Sequence, residues 1–256
     1  MTPPLLAAYG LGVTIAGNQV CSGLDLAILP GQCWAILGRN GAGKTTLLHT
    51  LAGLRGPAAG TIELRGKPLA TLARRDIARL RGLLLQDDSD AFPATVLESV
   101  LVGRHPHLSR WQWESAEDVR IAREALAAAD MAGTEARDVR TLSGGERRRV
   151  ALAALLAQQP RLFLLDEPSS HLDLSHQLML LERLAAAVRL GDKSLIMVVH
   201  DVNLAVRYCD HALLLADGEA VAGPAQELLT AERLSAVYRV SLRQVAGPRG
   251  NLFAPD

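Results

Sequence analysis

Residues 36–48 read ILGRNGAGKTTLL, a glycine-rich loop between an apolar run and the start of a helical pattern. The loop matches GxxxxGK[ST] in full, with Gly38, Gly43, Lys44 and Thr45 at the defining positions. In such a loop, glycines let consecutive backbone N–H groups surround phosphates, the lysine neutralises them, and the threonine hydroxyl suits Mg²⁺. The stretch therefore predicts a phosphate-binding P-loop that opens a helix.

Short apolar runs alternate with amphipathic segments along the chain. CWAIL (33–37), LFLLD (162–166), SLIMVV (194–199) and HALLL (211–215) are continuously apolar, which is typical of strands covered on both faces. Helical patterns occupy 44–54, 150–159 and 175–190, and Gly53 and Gly191 are placed to end the first and last of them. The alternation predicts an α/β protein with a mainly parallel sheet. Residues 87–150 contain helical patterns without a comparable strand and predict a helical insertion.

Composition limits the function classes. The 256 residues include 27 Lys+Arg and 27 Asp+Glu, so zero net charge gives no global electrostatic reason to bind nucleic acid. The three cysteines are scattered, with no CxxC pair, which favours a reducing compartment. The N-terminus lacks the pattern of a signal peptide, and no apolar run reaches about 18 residues. These features predict a soluble, cytoplasmic chain that binds no nucleic acid.

The stretch RLFLLDEPSSHLD, residues 161–173, supplies an acid for the P-loop. Asp166 ends an apolar strand, which is where P-loop folds bring a carboxylate to the magnesium shell. Glu167 follows, and because neighbouring strand residues point to opposite sides, it need not share that role. We expect Asp166 to bind the metal and Glu167 to activate the attacking water as a general base.

A second anion-binding candidate is TLSGGERRRVALAALL, residues 141–156. Two adjacent glycines at a helix start lower the helix propensity of the segment. We therefore expect them to have another role, which is to let a ligand approach the backbone closely. Ser143 is a candidate N-cap, and the N–H groups behind it could bind an anion.

Together, GRNGAGKTT, LSGGE, LLDEP, SSHLD and VVHD resemble, in order and separation, the ATP-binding subunits of ABC transporters. The resemblance covers nearly the whole chain. It implies a RecA-like P-loop NTPase core with a mainly parallel sheet, an N-terminal antiparallel β portion and an inserted α-helical subdomain. It also implies one ABC ATPase domain over 1–256: nucleotide-binding core at 1–86 and 151–220, helical subdomain with the signature motif at 87–150, and a C-terminal extension at 221–256.

The resemblance implies a role for each matching residue, with ATP and Mg²⁺ as cofactors. Two copies would pair head to tail, with the signature of one chain facing the γ-phosphate held by the P-loop of the other. The catalytic residues would be Glu167, His200, Gln86 and Lys44, and the metal residues Thr45, Gln86 and Asp166. The nucleotide-binding residues would be Gly38, Arg39, Asn40, Gly41, Ala42, Gly43, Lys44, Thr45 and Thr46; the signature residues acting in trans Leu142, Ser143, Gly144, Gly145 and Glu146; and the D-loop residues Ser170 and Asp173.

One position departs from the family pattern. Many members have an aromatic residue that stacks on adenine before the P-loop, whereas this chain aligns Ile15 there. Tyr9 is the nearest upstream aromatic and is expected to lie one strand too early. Trp111 and Trp113 lie in the helical insertion and are expected to pack or meet a partner.

The segment FPATVLESVLVGRHPHL (92–108) and the tail at 227–245 resemble the ATPases of importers for iron-siderophore, haem and cobalamin. This resemblance implies a polytopic, dimeric permease as partner and, indirectly, a periplasmic or surface substrate-binding protein. It places the chain peripherally at the cytoplasmic face of the inner membrane, with iron ligands favoured over cobalamin as cargo. A soluble ABC ATPase of iron-sulfur assembly, repair or translation, a low-turnover regulatory subunit, and an exporter subunit remain alternatives.

Overall fold

A computed structural model describes residues 3–86, 93–109, 111–168, 170, 173–189, 191–247 and 250–256. The strands are β1 (Leu6–Ile15), β2 (Asn18–Ile28), β3 (Cys33–Gly38), β4 (Ala59–Leu64), β5 (Lys67–Pro68), β6 (Arg81–Leu84), β7 (Leu162–Asp166), β8 (Ser194–Val198), β9 (His211–Ala216), β10 (Glu219–Pro224), β11 (Leu242–Gly247) and β12 (Gly250–Pro255). The α-helices are α1 (Lys44–Leu51), α2 (Arg74–Leu80), α3 (Val96–Leu101), α4 (Ala116–Ala128), α5 (Gly144–Ala157), α6 (Leu174–Arg189), α7 (Val202–Tyr208), α8 (Ala225–Leu228) and α9 (Ala231–Tyr238). Short 3-10 turns cover Leu69–Thr71, Val102–His107 and Val139–Thr141.

The central sheet has six strands in the order β10-β9-β3-β8-β7-β6. All neighbours are parallel except β10, which runs antiparallel to β9. Successive residues of β3 enter different cores: Ala35 and Leu37 join the cluster with α5 and α6, whereas Trp34 and Ile36 join the cluster with α1. The sheet is therefore covered on both faces, and the four predicted apolar strands are confirmed.

A second, antiparallel sheet of order β2-β1-β4-β5 confirms the expected N-terminal β portion. Leu6 of β1 pairs with Ile28 on one side and with Leu64 on the other. The placement of Tyr9 one strand before Ile15 was wrong, because β1 is long enough to contain both residues.

The described part of residues 93–150 is mainly helical, as predicted. Within that part, the β pairing consists of one isolated bridge between Thr95 and Asp138. Phe92 and the start of the expected helical subdomain lie outside the described residues. Ser115 and Ser143 cap α4 and α5 with reciprocal side-chain and backbone hydrogen bonds. The buried Arg104 side chain donates to Asp118 of α4 and to the Ala157 carbonyl of α5, so it holds these two helices together.

The C-terminal part follows β10 with α8 and α9 and ends in the antiparallel hairpin β11–β12. The hairpin is fastened to α7 by Asn203, which donates to the Phe253 carbonyl and accepts from the Phe253 N–H at 3.1 and 2.8 Å. Within the described residues, no helix is long and apolar enough to cross a membrane.

Candidate active site

The P-loop follows β3 and opens α1 at the carboxyl edge of the central sheet, where open α/β folds bind ligands. It borders a cleft of about 420 Å³. The cleft is lined by Ile15, Asn40, Gly41, Gly43, Lys44, Thr45, Thr46, Gln86, Glu167 and His200. The structure thus brings predicted residues from β3–α1, from the end of β6 and from the ends of β7 and β8 into one cavity.

Two P-loop glycines are required by the loop's own packing. A Cβ on Gly38 would lie 2.6 Å from the carbonyl oxygen of Leu215, and one on Gly43 would lie 2.5 Å from Cγ2 of Val20. Gly43 is also the N-cap of α1 in the left-handed conformation, with φ +90°. The loop therefore presses against the neighbouring strands so closely that only glycine fits at these two positions.

Lys44 turns back over the loop that carries it. Its ammonium donates to the carbonyls of Gly38 and Arg39 at 2.9 and 3.0 Å. Burial lowers the pKa of Lys44, while the nearby carboxylates of Glu167 and Asp166 act in the opposite direction. The Ala42 N–H closes the loop through the Arg39 carbonyl at 3.1 Å. The cationic group is thus held at the cleft by the backbone that would surround a phosphate.

Asp166 is fully buried at the end of β7 and accepts a hydrogen bond from the Thr45 hydroxyl at 3.1 Å. Its other oxygen, Oδ2, is buried, has no hydrogen-bond partner among the described residues and lies 3.8 Å from Nε2 of His49. Burial is the main cause that raises the pKa of Asp166. Such a buried carboxylate oxygen, beside a threonine hydroxyl, is a donor set that fits Mg²⁺, which typically takes few protein oxygens and completes its shell with water and phosphate.

Glu167 is contacted through both carboxylate oxygens. His200 Nε2 lies 2.5 Å from Oε1, and the Gln86 amide donates to Oε2 at 3.1 Å. Glu167 also has φ +46°, an uncommon backbone conformation for a residue other than glycine. The chain therefore turns sharply after Asp166, and Glu167 points away from the Asp166–Thr45 contact toward Gln86 and His200.

The signature residues 142–146 lead into α5, with Ser143 as its N-cap and Gly144 as its first residue. Ser143 caps the helix, accepting from the Glu146 N–H at 3.2 Å, while the Glu146 carboxylate accepts from the Ser143 N–H at 2.8 Å. These bonds and an ion pair with Arg137 lower the pKa of Glu146 to about 2. None of residues 142–146 is among the described residues that line the cleft. Within one chain, the two anion-binding candidates are therefore not brought together.

Packing within the described chain does not require glycine at position 144. Apart from its chain neighbours and the backbone of its own helix, a Cβ on Gly144 would meet no described atom within 4 Å, and its φ is not in the region that favours glycine. The Ser143 and Gly144 surface is exposed. The absence of a side chain is thus unexplained by contacts within the described chain.

The segment after Glu167 lies next to the catalytic candidates. Ser170 donates its hydroxyl to the Glu167 carbonyl at 2.8 Å. Asp173 accepts from the His176 N–H at 3.0 Å at the start of α6, so its side chain caps this helix. The remaining SSHLD residues 169, 171 and 172 lie outside the described residues.

Ile15, the last residue of β1, also lines the cleft. Tyr9 is exposed and is not among the described residues that line the cleft.

Sequence reasoning missed His49 and Arg148. His49 lies one helical turn after Thr45, so spacing could have placed it beside Asp166. Arg148 shares a buried stripe of α5 with Leu152 and Leu155, at the i, i+4 and i+7 positions of a helix face. Because Arg148 is the middle residue of three consecutive arginines, its charge hid the apolar periodicity that would have indicated a buried position.

The chain is similar to known proteins along most of its length. Residues 21–170 match the model of a family described as "ABC transporter". A hemin import ATP-binding protein, HmuV, of Burkholderia ambifaria is 43% identical, with 94% of this chain and 95% of the relative covered. A cobalamin import ATP-binding protein, BtuD, of Halobacterium salinarum is 38% identical over 91% of this chain and 58% of the relative. A solved metal-chelate type ABC transporter in an inward-facing conformation superposes with a TM-score of 0.86 at 29% identity, covering 99% of this chain and 98% of the other.

Proposed function

The chain belongs to the ABC transporter family and is an ABC-type ATPase that binds ATP; we propose that it powers import of a metal chelate, with haem or an iron-siderophore favoured over cobalamin. The single observation that carries the catalytic part is the cleft in which the P-loop meets Gln86, Glu167 and His200. The cargo class rests on similarity to the hemin importer subunit and to the metal-chelate transporter.

In the proposed mechanism, the backbone of Gly38–Thr46 surrounds the β- and γ-phosphates, and Lys44 exchanges its bonds to the Gly38 and Arg39 carbonyls for phosphate oxygens. Thr45 and Asp166 would hold Mg²⁺, with Gln86 completing the protein contribution. A bound Mg²⁺ would neutralise charge on the β- and γ-phosphate oxygens.

Glu167 is the proposed general base, because it is the carboxylate in the cleft that is turned away from the Thr45–Asp166 pair. It would accept a proton from the water that attacks the γ-phosphate. His200 and Gln86 contact its two carboxylate oxygens. In the reaction, Lys44 and His200 would stabilise the charge that develops on the phosphate, and Gln86 would orient the water.

The open surface at Gly144 supports a head-to-tail dimer. Helix N-termini attract anions, and a glycine that its own chain does not need leaves room for one. We place the γ-phosphate bound by one P-loop against Leu142–Glu146 of a second copy, with Ser170 and Asp173 near the dimer interface. Two ATP molecules would then be enclosed by two chains.

The proposed partners are a dimeric polytopic permease and, through it, a periplasmic or surface substrate-binding protein. The chain would sit peripherally at the cytoplasmic face of the inner membrane. In this proposal, residues 1–86 and 151–220 form the nucleotide-binding core, 87–150 the helical subdomain that carries the signature, and 221–256 a C-terminal extension. The cargo would contact the membrane and binding-protein subunits and not this chain.

Co-purification tests the proposal. The tagged chain is recovered from detergent-solubilised membranes, and the proteins that elute with it are identified. We expect a polytopic permease, and we expect the ATPase rate of the reconstituted complex to rise when its binding protein is loaded with haem. Stimulation by a cobalamin-loaded protein alone would overturn the cargo, and recovery only with soluble assembly, repair or translation factors would overturn the transporter.

A further inference from the structure

Arg148 is a buried arginine on the signature helix α5, with 5% of its surface exposed. It lies one turn beyond Gly144, on the face of α5 that packs toward the central sheet. A guanidinium group presents five N–H donors in a fixed planar arrangement, so burying it requires acceptors at matching positions.

The acceptors of Arg148 include backbone carbonyls at the ends of two neighbouring strands. Nη2 donates to the carbonyls of Asp166, the last residue of β7, and Glu167, the next residue, at 2.8 and 2.9 Å. Nη1 donates to the carbonyls of Leu85 and, at 3.4 Å, Gln86, after β6. One side chain thus joins the backbone beneath both residues whose side chains meet in the cleft, Gln86 and Glu167.

The backbone that Arg148 holds is strained. Glu167 is in the left-handed region at φ +46°, a conformation that a residue other than glycine keeps only where surrounding contacts impose it. The Glu167 carbonyl receives hydrogen bonds from Arg148 and from Ser170. Without the guanidinium group, the chain could relax after Asp166 and carry the Glu167 carboxylate away from Gln86 and His200.

We propose that Arg148 is a positioning residue for ATP hydrolysis, fixing the general base Glu167 relative to Gln86 without contacting nucleotide. The proposal rests on the function proposed above. It has a consequence for the dimer, because Arg148 is on the same helix as the signature residues. A shift of α5 on contact with the partner's nucleotide would move the carbonyls of the chain's own Gln86 and Glu167. The arginine would therefore connect the two ATP sites.

The test separates positioning from simple loss of stability. Arg148→Met keeps a chain of similar length without donors, and Arg148→Lys keeps the charge with a single donor group. The matched control is Arg104→Met, which removes an equally buried arginine that also donates to α5 but contacts Asp118 and Ala157 instead of the cleft. For each purified chain, kcat, the ATP dissociation constant and the unfolding temperature are measured.

We expect Arg148→Met to lower kcat about 100-fold, the effect of misplacing a reacting group by about 1 Å, with an ATP dissociation constant within about threefold of wild type. Arg148→Lys should recover about tenfold of that loss. Arg104→Met should lower the unfolding temperature while the folded protein keeps its kcat. If Arg148→Met does not fold, Arg148→Lys is compared with Arg104→Met, and a roughly tenfold loss of kcat in the lysine variant alone is expected.

Equal kcat in the Arg148 and Arg104 variants, or parallel losses of kcat and ATP affinity, would overturn the positioning role. The wild-type chain keeps the two proposals distinguishable. If it does not hydrolyse ATP, alone or with its partner, the proposed function fails. If it hydrolyses ATP and only the Arg148 result is contrary, the proposed function stands without this inference.

Discussion

The P-loop and the signature segment are both glycine-rich helix starts, but their glycines differ in whether contacts within the chain require them. In the P-loop, side chains at Gly38 or Gly43 would collide with Leu215 or Val20 of the same chain. At the signature, a side chain on Gly144 would enter open space. The packing of the chain itself therefore requires the glycines of the P-loop. Gly144 instead leaves space at the surface, and we propose that the nucleotide of a partner subunit occupies this space.

The largest expected effect concerns the P-loop side of this comparison. Glu167→Gln removes the proposed base but keeps an amide that can contact Gln86 and His200. We expect kcat to fall about 1,000-fold while ATP binding is preserved, measured by phosphate release and equilibrium binding. Glu232→Gln, in the first turn of α9, is the control and should hydrolyse ATP at the wild-type rate. Wild-type turnover in Glu167→Gln would show that another group is the base.

The signature side is tested by Gly144→Val. The Cβ of the new side chain meets no described atom within 4 Å beyond its own helix and neighbours, so the unfolding free energy should change by no more than about 0.5 kcal/mol. Hydrolysis should nevertheless fall about 100-fold, because the γ-phosphate of the partner could no longer approach the helix N-terminus. Gly56→Val is the matched control, since a Cβ there also meets no described atom within 4 Å beyond its chain neighbours. Equal activity of the two variants would contradict the proposed role of Gly144.

Alanine substitutions at Gly43 and Gly144 test the structural difference between the two glycines. Gly43→Ala places a methyl group 2.5 Å from Val20 in a left-handed backbone, and we expect a loss of about 2–4 kcal/mol in unfolding free energy. Gly144→Ala, at an open helical position, should be neutral or stabilising by up to about 1 kcal/mol. Chemical denaturation measures the unfolding free energy of both variants. Similar losses of stability in the two would show that Gly43 and Gly144 do not differ in how far the fold requires glycine.

The smallest effect concerns the helices that support the signature. Hydrogen bonds from Ser115 and Arg104 lower the pKa of Asp118 from 3.8 to about 2. Because the folded-state value is depressed, this carboxylate stabilises the protein above about pH 4, and its contribution is lost as pH falls toward 2. Asp118→Asn should therefore cost about 2 kcal/mol at pH 6 and almost nothing near pH 2. A pH-independent cost would contradict the assignment.

The sequence predicted those elements whose signals are local. The continuous apolar runs of β3, β7, β8 and β9 indicate strands buried on both faces, and Ser143 as a candidate N-cap indicates a helix start. The hairpin β11–β12 was not predicted, because its exposed strands depend on contacts such as Asn203 with Phe253, which are distant in sequence.

The candidate site divides in the same way. The P-loop and Asp166 follow from motif and strand context, whereas Arg148 acts through carbonyl oxygens at distant positions, which every residue type possesses. The sequence pattern of side chains therefore does not indicate which carbonyl oxygens accept hydrogen bonds from Arg148. His49 lies between these cases, because its spacing of one helical turn from Thr45 could have placed it beside Asp166.

The dimerisation of Glu167→Gln in ATP tests the central claim most directly. Sedimentation is measured with ATP and with ADP for Glu167→Gln, for Glu167→Gln with Gly144→Val, and for Glu167→Gln with Gly56→Val. We predict an ATP-dependent dimer for the first and third chains and a monomer for the second. A Glu167→Gln chain that stays monomeric in ATP, or a Gly144→Val double variant that still forms the dimer, would contradict an ATP site completed by the signature of a second copy.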